Sequence, residues 1–119
     1  MRILIVDDQR DMLARIADML AQTGHELVLQ QDSKKALAQL QDEPFDILIT
    51  DMMMPDVGGA DIIRQIRRQN VNLWIVAISG GGQDLSVNTI LRISEAYGAD
   101  RILYKPFRKA ELLAAISRE

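Results

Sequence analysis

"DILITDMMMPDVGG", residues 46–59, opens as a short apolar run and breaks off at an acid, Asp51. Three methionines, Met52 to Met54, follow, then Pro55 and, further on, Gly58 and Gly59. A run of this length, ended by turn residues, predicts a buried β-strand over Asp46–Thr50 rather than a helix. A carboxylate at the inner end of a buried segment costs free energy unless it is paired or coordinated. The stretch therefore predicts a strand that delivers an acid to a place where something else must offset its charge.

Working outward, four more stretches have the same look: "ILIV" (Ile3–Val6), "ELVLQ" (Glu26–Gln30), "LWIVAIS" (Leu73–Ser79) and "RILY" (Arg101–Tyr104). Three of the five are apolar on both faces, as strands between helix layers are. The segments between them carry helical spacing. In "RDMLARIADMLAQTG" the residues Met12, Leu13, Ile16, Met19 and Leu20 form one stripe, with Gly24 as a stop. "DSKKALAQLQ" begins with an Asp32 or Ser33 cap and groups Ala36, Leu37 and Leu40. "GADIIRQIRRQ", "LSVNTILRISEAYG" and "RKAELLAAISRE" each put their isoleucines and leucines on one face. The order is βαβαβαβαβα without repeat, linker or low-complexity tract, which predicts an α/β fold with a parallel sheet and helices on both faces.

Composition narrows the classes. The 119 residues suffice for one domain; 48% are hydrophobic and 26% charged, and there is no cysteine for a disulfide or a thiolate. No apolar run approaches the roughly 20 residues of a membrane span, and no leader segment opens the chain, so a cytoplasmic protein is expected. A net charge of −3 is no footprint for nucleic acid. The densest basic stretch, "RQIRR" (Arg64–Arg68), reads as a solvated helix face.

In open parallel sheets the working site lies at the carboxyl ends of the strands, where strand order reverses. Here the first strand ends in Asp7 and Asp8, the third in Asp51 and the fourth in Ser79, and Lys105 with Pro106 follows the fifth. Three carboxylates brought together repel, so either one holds a proton or a cation neutralises them. Hard oxygen ligands suit Mg²⁺, while zinc would want histidine or cysteine and His25 is the only histidine. A hydroxyl and an ammonium opposite the acids suit an anion such as a phosphoryl group. The residues point to a Mg²⁺-dependent phosphoryl site in which one aspartate is the nucleophile. The plainer reading, acids that merely cap helices, fits any one of them better than the whole set.

Taken together, "ILIVDD", "DILITDMMMPDVGG", the Ser79 strand end and "GADRILYKPF" resemble the response-regulator receiver domains of bacterial two-component signalling, close to the chemotaxis receivers. The resemblance runs over essentially the whole chain and implies a flavodoxin-like doubly wound (βα)5 fold with strand order 2-1-3-4-5, as a single domain over 1–119 without an output domain. It implies that Asp51 accepts the phosphoryl group, that Asp7, Asp8, Asp51 and the backbone carbonyl of Met53 hold Mg²⁺ (or Mn²⁺ in its place), and that Ser79 and Lys105 bind the phosphoryl group. Pro106 matches a proline that such domains carry in cis. The implied partners are a histidine kinase or a histidine phosphotransfer protein as donor and a downstream protein as target, with no enzymatic activity on free substrates.

Two departures stand out. The family's switch aromatic lies three residues before the lysine, where this chain has Ile102; the aromatic here is Tyr104, next to Lys105. The segment from Ser79 to Lys105 is longer than the family's usual one and begins with Gly80, Gly81 and Gly82. Ile102, Tyr104 and the three glycines are thus the expected switch and partner surface. Other functions fit less well. A phosphoaspartate phosphatase would want an acid two residues past the nucleophile, where Met53 stands. A nucleotide-binding flavodoxin relative would want a Gly- or Ser/Thr-rich loop where "DDQRD" stands. A receiver fold used only as a scaffold would not need the acid, hydroxyl and lysine set.

Overall fold

The computed structural model describes residues 1–52, 59–69, 72–79 and 98–117. Met53, Pro55, the Gly80–Gly82 run and the helix expected over 85–98, up to its final glycine, lie outside these residues. Five strands run β1 (Arg2–Val6), β2 (Glu26–Gln30), β3 (Ile47–Asp51), β4 (Trp74–Ser79) and β5 (Arg101–Tyr104). The described helices are α1 (Arg10–Leu20), α2 (Ser33–Asp42), α3 (Gly59–Gln69) and α4 (Lys109–Ala115). The strands form one parallel sheet in the order β2-β1-β3-β4-β5. This is the expected fold class. The third strand starts and ends one residue later than the sequence reading, so that Asp51 is itself its last residue.

The three central strands are buried almost throughout, and the two edge strands are not. Strand alternation sorts their side chains into two cores. Ile3, Ile5, Ile47 and Ile49 meet Leu13, Ile16 and Leu20 of α1 and Leu112 of α4. Leu4, Val6, Leu48 and Ile75 meet Ala36 of α2 and Ile62, Ile63 and Ile66 of α3. Burying each such aliphatic side chain contributes about 1.5–3 kcal/mol, so packing against the sheet, not helix propensity, holds the short helices.

The helix signals behave as local chemistry requires. Asp32 caps α2, its carboxylate accepting the backbone N–H groups of Lys34 and Lys35 at 2.9 and 3.1 Å. Gly24 adopts a φ of +81° in the turn between α1 and β2, a conformation side-chain-bearing residues avoid. One expectation fails. "RQIRR" is not uniformly a solvated face: Arg68 is exposed, but Arg67 folds back into the molecule and its side chain is only 21% exposed. Periodicity places Arg67 on the flank of the helix, and nothing in the local sequence shows the backbone carbonyls that receive it. Among the described residues no helix is long and apolar enough to cross a membrane.

Candidate functional site

Parallel pairing brings every strand's carboxyl end to the same rim, and β1, β3, β4 and β5 are consecutive neighbours there. Asp7 follows β1 directly. Its backbone N–H donates to the Gln30 carbonyl at 3.2 Å, which carries the β1–β2 ladder one step past the strand. Its Oδ1 accepts the N–H of Gln9 at 2.9 Å and turns the chain toward α1. Asp51, the last residue of β3, lies opposite Ile78. Ser79 ends β4 opposite Tyr104, and its carbonyl accepts the N–H of Lys105 at 2.8 Å. The Lys105–Pro106 peptide bond is cis.

These positions converge. Carboxylate oxygens of Asp7, Asp8 and Asp51 lie within 4.8 Å of one another. Lys105 Nζ donates to Asp51 Oδ2 at 3.2 Å and lies 3.7 Å from Asp7 Oδ2. Asp7, Asp51 and Ser79 are buried, and Asp8 is the most exposed of the three acids. Burial pushes the Asp7 carboxyl above its ordinary value, and the nearby charges of Asp51 and Asp8 add to that. The Gln9 N–H and the Lys105 ammonium act in the opposite direction without cancelling the rise.

Among the described residues, Lys105 pairs with two of the three carboxylates, and the acidic excess falls on Asp7. Its Oδ2 is buried and, among the described residues, without a hydrogen-bond partner. An orphaned carboxylate oxygen beside two more within reach is a donor set for a small hard cation, which prefers oxygen ligands. The residues present fit such an ion. Of the expected metal set, the Met53 carbonyl lies outside the described residues, as do Gly80, Gly81 and Gly82.

Ile102 and Tyr104 are not part of this cluster. Both are half-buried on β5, and they point to the side of the sheet away from Leu103. Leu103 packs with Leu112 and Ala115 of α4, while Ile102 packs against the core that α2 and α3 share. Tyr104 therefore shares its side of the sheet with α3, whereas α4 lies across the sheet; the helix expected over 85–98, which with the last helix was expected to frame the partner surface, lies outside the described residues up to its final glycine. Met52 is half-buried against the same core as Ile102, in keeping with a packing role. Gln9 and Thr50 were not among the expected site residues. Thr50 Oγ1 donates to the Asp51 carbonyl at 3.1 Å. The signal for Gln9 was present in the spacing: an aspartate often accepts the N–H two residues on.

The comparisons with known proteins agree with this geometry. Residues 3–117 match the model of the response regulator receiver domain, so the chain belongs to that family. The chain is similar to the transcriptional regulatory protein CpxR of Klebsiella pneumoniae, with 33% identity over 97% of this chain and 47% of that protein. It is also similar to the response regulator SaeR of Staphylococcus aureus, 29% identical over 97% of this chain and 48% of that protein. The chain thus spans about half the length of these relatives. Among solved structures, the Vibrio cholerae chemotaxis protein CheY4 superposes with a TM-score of 0.83 at 28% identity, covering 95% of this chain and 92% of that one. A CheY-like receiver domain protein of Methanospirillum hungatei gives 0.85 at 26% identity, over 97% and 89% of the two chains.

Proposed function

We propose that the chain is the phosphoacceptor switch of a two-component or phosphorelay system, with Asp51 as the acceptor. The observation that supports this most is the ion pair of Lys105 with Asp51 inside a cluster of three acids. A carboxylate oxygen of Asp51 attacks the phosphorus of a phosphohistidine on a histidine kinase or phosphotransfer partner. The P–N bond breaks as the P–O bond forms, and the imidazole leaves with the electron pair. Lys105 then bridges Asp51 and the anionic oxygens, and the Ser79 hydroxyl donates to one of them. Asp7, Asp8 and Asp51, with the Met53 carbonyl, would hold Mg²⁺, or Mn²⁺ in its place. When bound, the ion offsets the charge of the carboxylates and of the incoming phosphoryl group. No free substrate is turned over; the chain promotes only its own phosphorylation and dephosphorylation. The phosphorylated form presents a changed surface, with Tyr104 as an anchor, to a downstream protein in the cytoplasm. Residues 1–119 make up the receiver domain.

The test is incubation with Mg²⁺ and acetyl phosphate followed by intact mass. One phosphoryl group should be added, and chelation of the metal should prevent it. A wild-type chain that gains no mass with saturating donor and metal would overturn the reading.

A further inference from the structure

The strand that leads to Lys105 has little hold on its own register. β5 is an edge strand of four residues, and Leu103 is its one buried side chain. Register is specified by which side chains face a core, and a slip of one residue turns every side chain to the other face. One buried residue specifies little. A slip would take Lys105 off the Ser79 carbonyl and turn its ammonium away from Asp51.

A polar fixture stands at the other end of the same strand. The N–H of Asp100, just before β5, donates to the Ile75 carbonyl at 2.8 Å, and the Ile75 N–H donates to Asp100 Oδ2 at 2.8 Å. Arg67 of α3 reaches the same carboxylate oxygen through Nη2 at 2.8 Å. Its Nη2 and Nε also donate to the Gly98 carbonyl at 2.8 and 3.1 Å, and its Nη1 donates to the Leu73 carbonyl at 2.7 Å. One guanidinium thus joins the residue before β4 to the turn that enters β5, a task for a rigid fork of donors that an ammonium cannot copy. Gly98 has a φ of +100°, and a Cβ there would lie 3.1 Å from Arg67 Cγ, so the approach uses the missing side chain. The side chains of Arg67 and Asp100 are only 21% and 28% exposed, which shields the pair from the screening that weakens surface ion pairs.

We propose that Arg67 and Asp100 are positioning residues that lock β5 against β4 in the register that sets Lys105 beside Asp51. The consequence for phosphorylation rests on the reading of Lys105 given above; the register lock does not.

The test uses the full chain and reads two things: amide hydrogen exchange at Lys105, whose N–H bonds the Ser79 carbonyl, and the rate of phosphorylation by acetyl phosphate. Asp100→Asn removes the charge but keeps an acceptor for Ile75, Arg67→Met removes the fork, and Arg67→Lys keeps the charge without the fork. Losing charge-assisted bonds at one strand end should raise Lys105 exchange roughly tenfold or more in Arg67→Met, and less in the other two variants. Amides of β1 should keep wild-type rates, and phosphorylation should slow in the same order as exchange accelerates. Wild-type exchange at Lys105 in all three variants would overturn the lock. Equal acceleration in β1 and β5 would overturn it too, because the pair would then serve overall stability alone. A wild-type chain that takes no phosphoryl group would sink the functional reading, yet the exchange comparison would still decide the lock.

Discussion

At the amino rim of the sheet the described charged side chains sit in bonded clusters, while at the carboxyl rim, one strand length away, a buried carboxylate oxygen is left without a hydrogen bond. Arg2 opens β1 at the amino rim. Its guanidinium pairs with Glu26, bonds Glu43 at 2.6 Å and the Pro44 carbonyl at 3.0 Å, and lies 4.4 Å from the centre of the Phe45 ring. Trp74 opens β4 there and donates its indole N–H to the Ala115 carbonyl at 2.8 Å, with Arg101 stacked on the ring. At the carboxyl rim, among the described residues, Lys105 pairs with Asp51 and Asp7 of the three clustered acids, and a buried oxygen of Asp7 has no hydrogen bond. The same sheet supports both, so the difference is not a limit of the fold. On the proposed function the rim with the unsatisfied oxygen takes up charged ligands, and the other rim holds the strands in place while that happens.

The largest way to break this contrast is to remove the proposed acceptor. Asp51→Asn should abolish the mass gain from acetyl phosphate while the domain stays folded, since an acid is lost from a cluster that is already too acidic. A variant phosphorylated at the wild-type rate would reassign the acceptor.

A cation should act on one rim only. With Mg²⁺ at about a hundred times its dissociation constant, stabilisation of the folded state should reach about 2.7 kcal/mol, read as a rise in melting temperature. Asp8→Asn should weaken that response, and Arg101→Ala at the other rim should leave it unchanged.

The matched rim should respond in the opposite sense. Trp74→Phe keeps the ring but loses the bond to α4, and should cost about 1 kcal/mol, or about 3–6 °C in a domain of this size. The loss should be the same with and without Mg²⁺. A metal-dependent loss would mean that the two rims are coupled.

How much of this was legible in the sequence follows from where each effect originates. Alternation of short apolar runs with helical stripes is local, so the parallel sheet, its buried central strands and the faces of α1, α2 and α3 could be read directly. The acids, the hydroxyl and the lysine could be assembled because parallel topology brings all strand ends to one rim. Arg67 could not. Its partners are backbone carbonyls of Leu73 and Gly98 and a carboxylate at Asp100, and no pattern of side chains announces a carbonyl that needs a donor. The unequal burden among the acids was hidden for a similar reason. Asp7 and Asp8 are adjacent and identical, and only their placement past the strand decides that Asp7 is buried while Asp8, in the same cluster, is exposed.

That inequality gives the smallest and most specific test. The Asp7 carboxyl is raised in the folded protein, chiefly by burial and then by its acidic neighbours. Between its ordinary value near about 3.9 and the raised one, the folded state holds more protons than the unfolded state. Stability therefore falls as pH rises through that window, and the cost persists at every higher pH. Asp7→Asn removes the titrating group and keeps an oxygen to accept the Gln9 N–H. Without metal at pH 7 the variant should melt above the wild type, and the gap should close as pH falls below the ordinary carboxylate value. Adding Mg²⁺ should reverse the ranking, because the wild type gains a ligand that the amide does not match. Thermal melts of both proteins across pH, with and without metal, check all of this. If the variant is less stable than wild type at neutral pH without metal, the buried oxygen of Asp7 is not the seat of the unmatched charge, and the contrast between the rims rests on Asp8 and Asp51 instead.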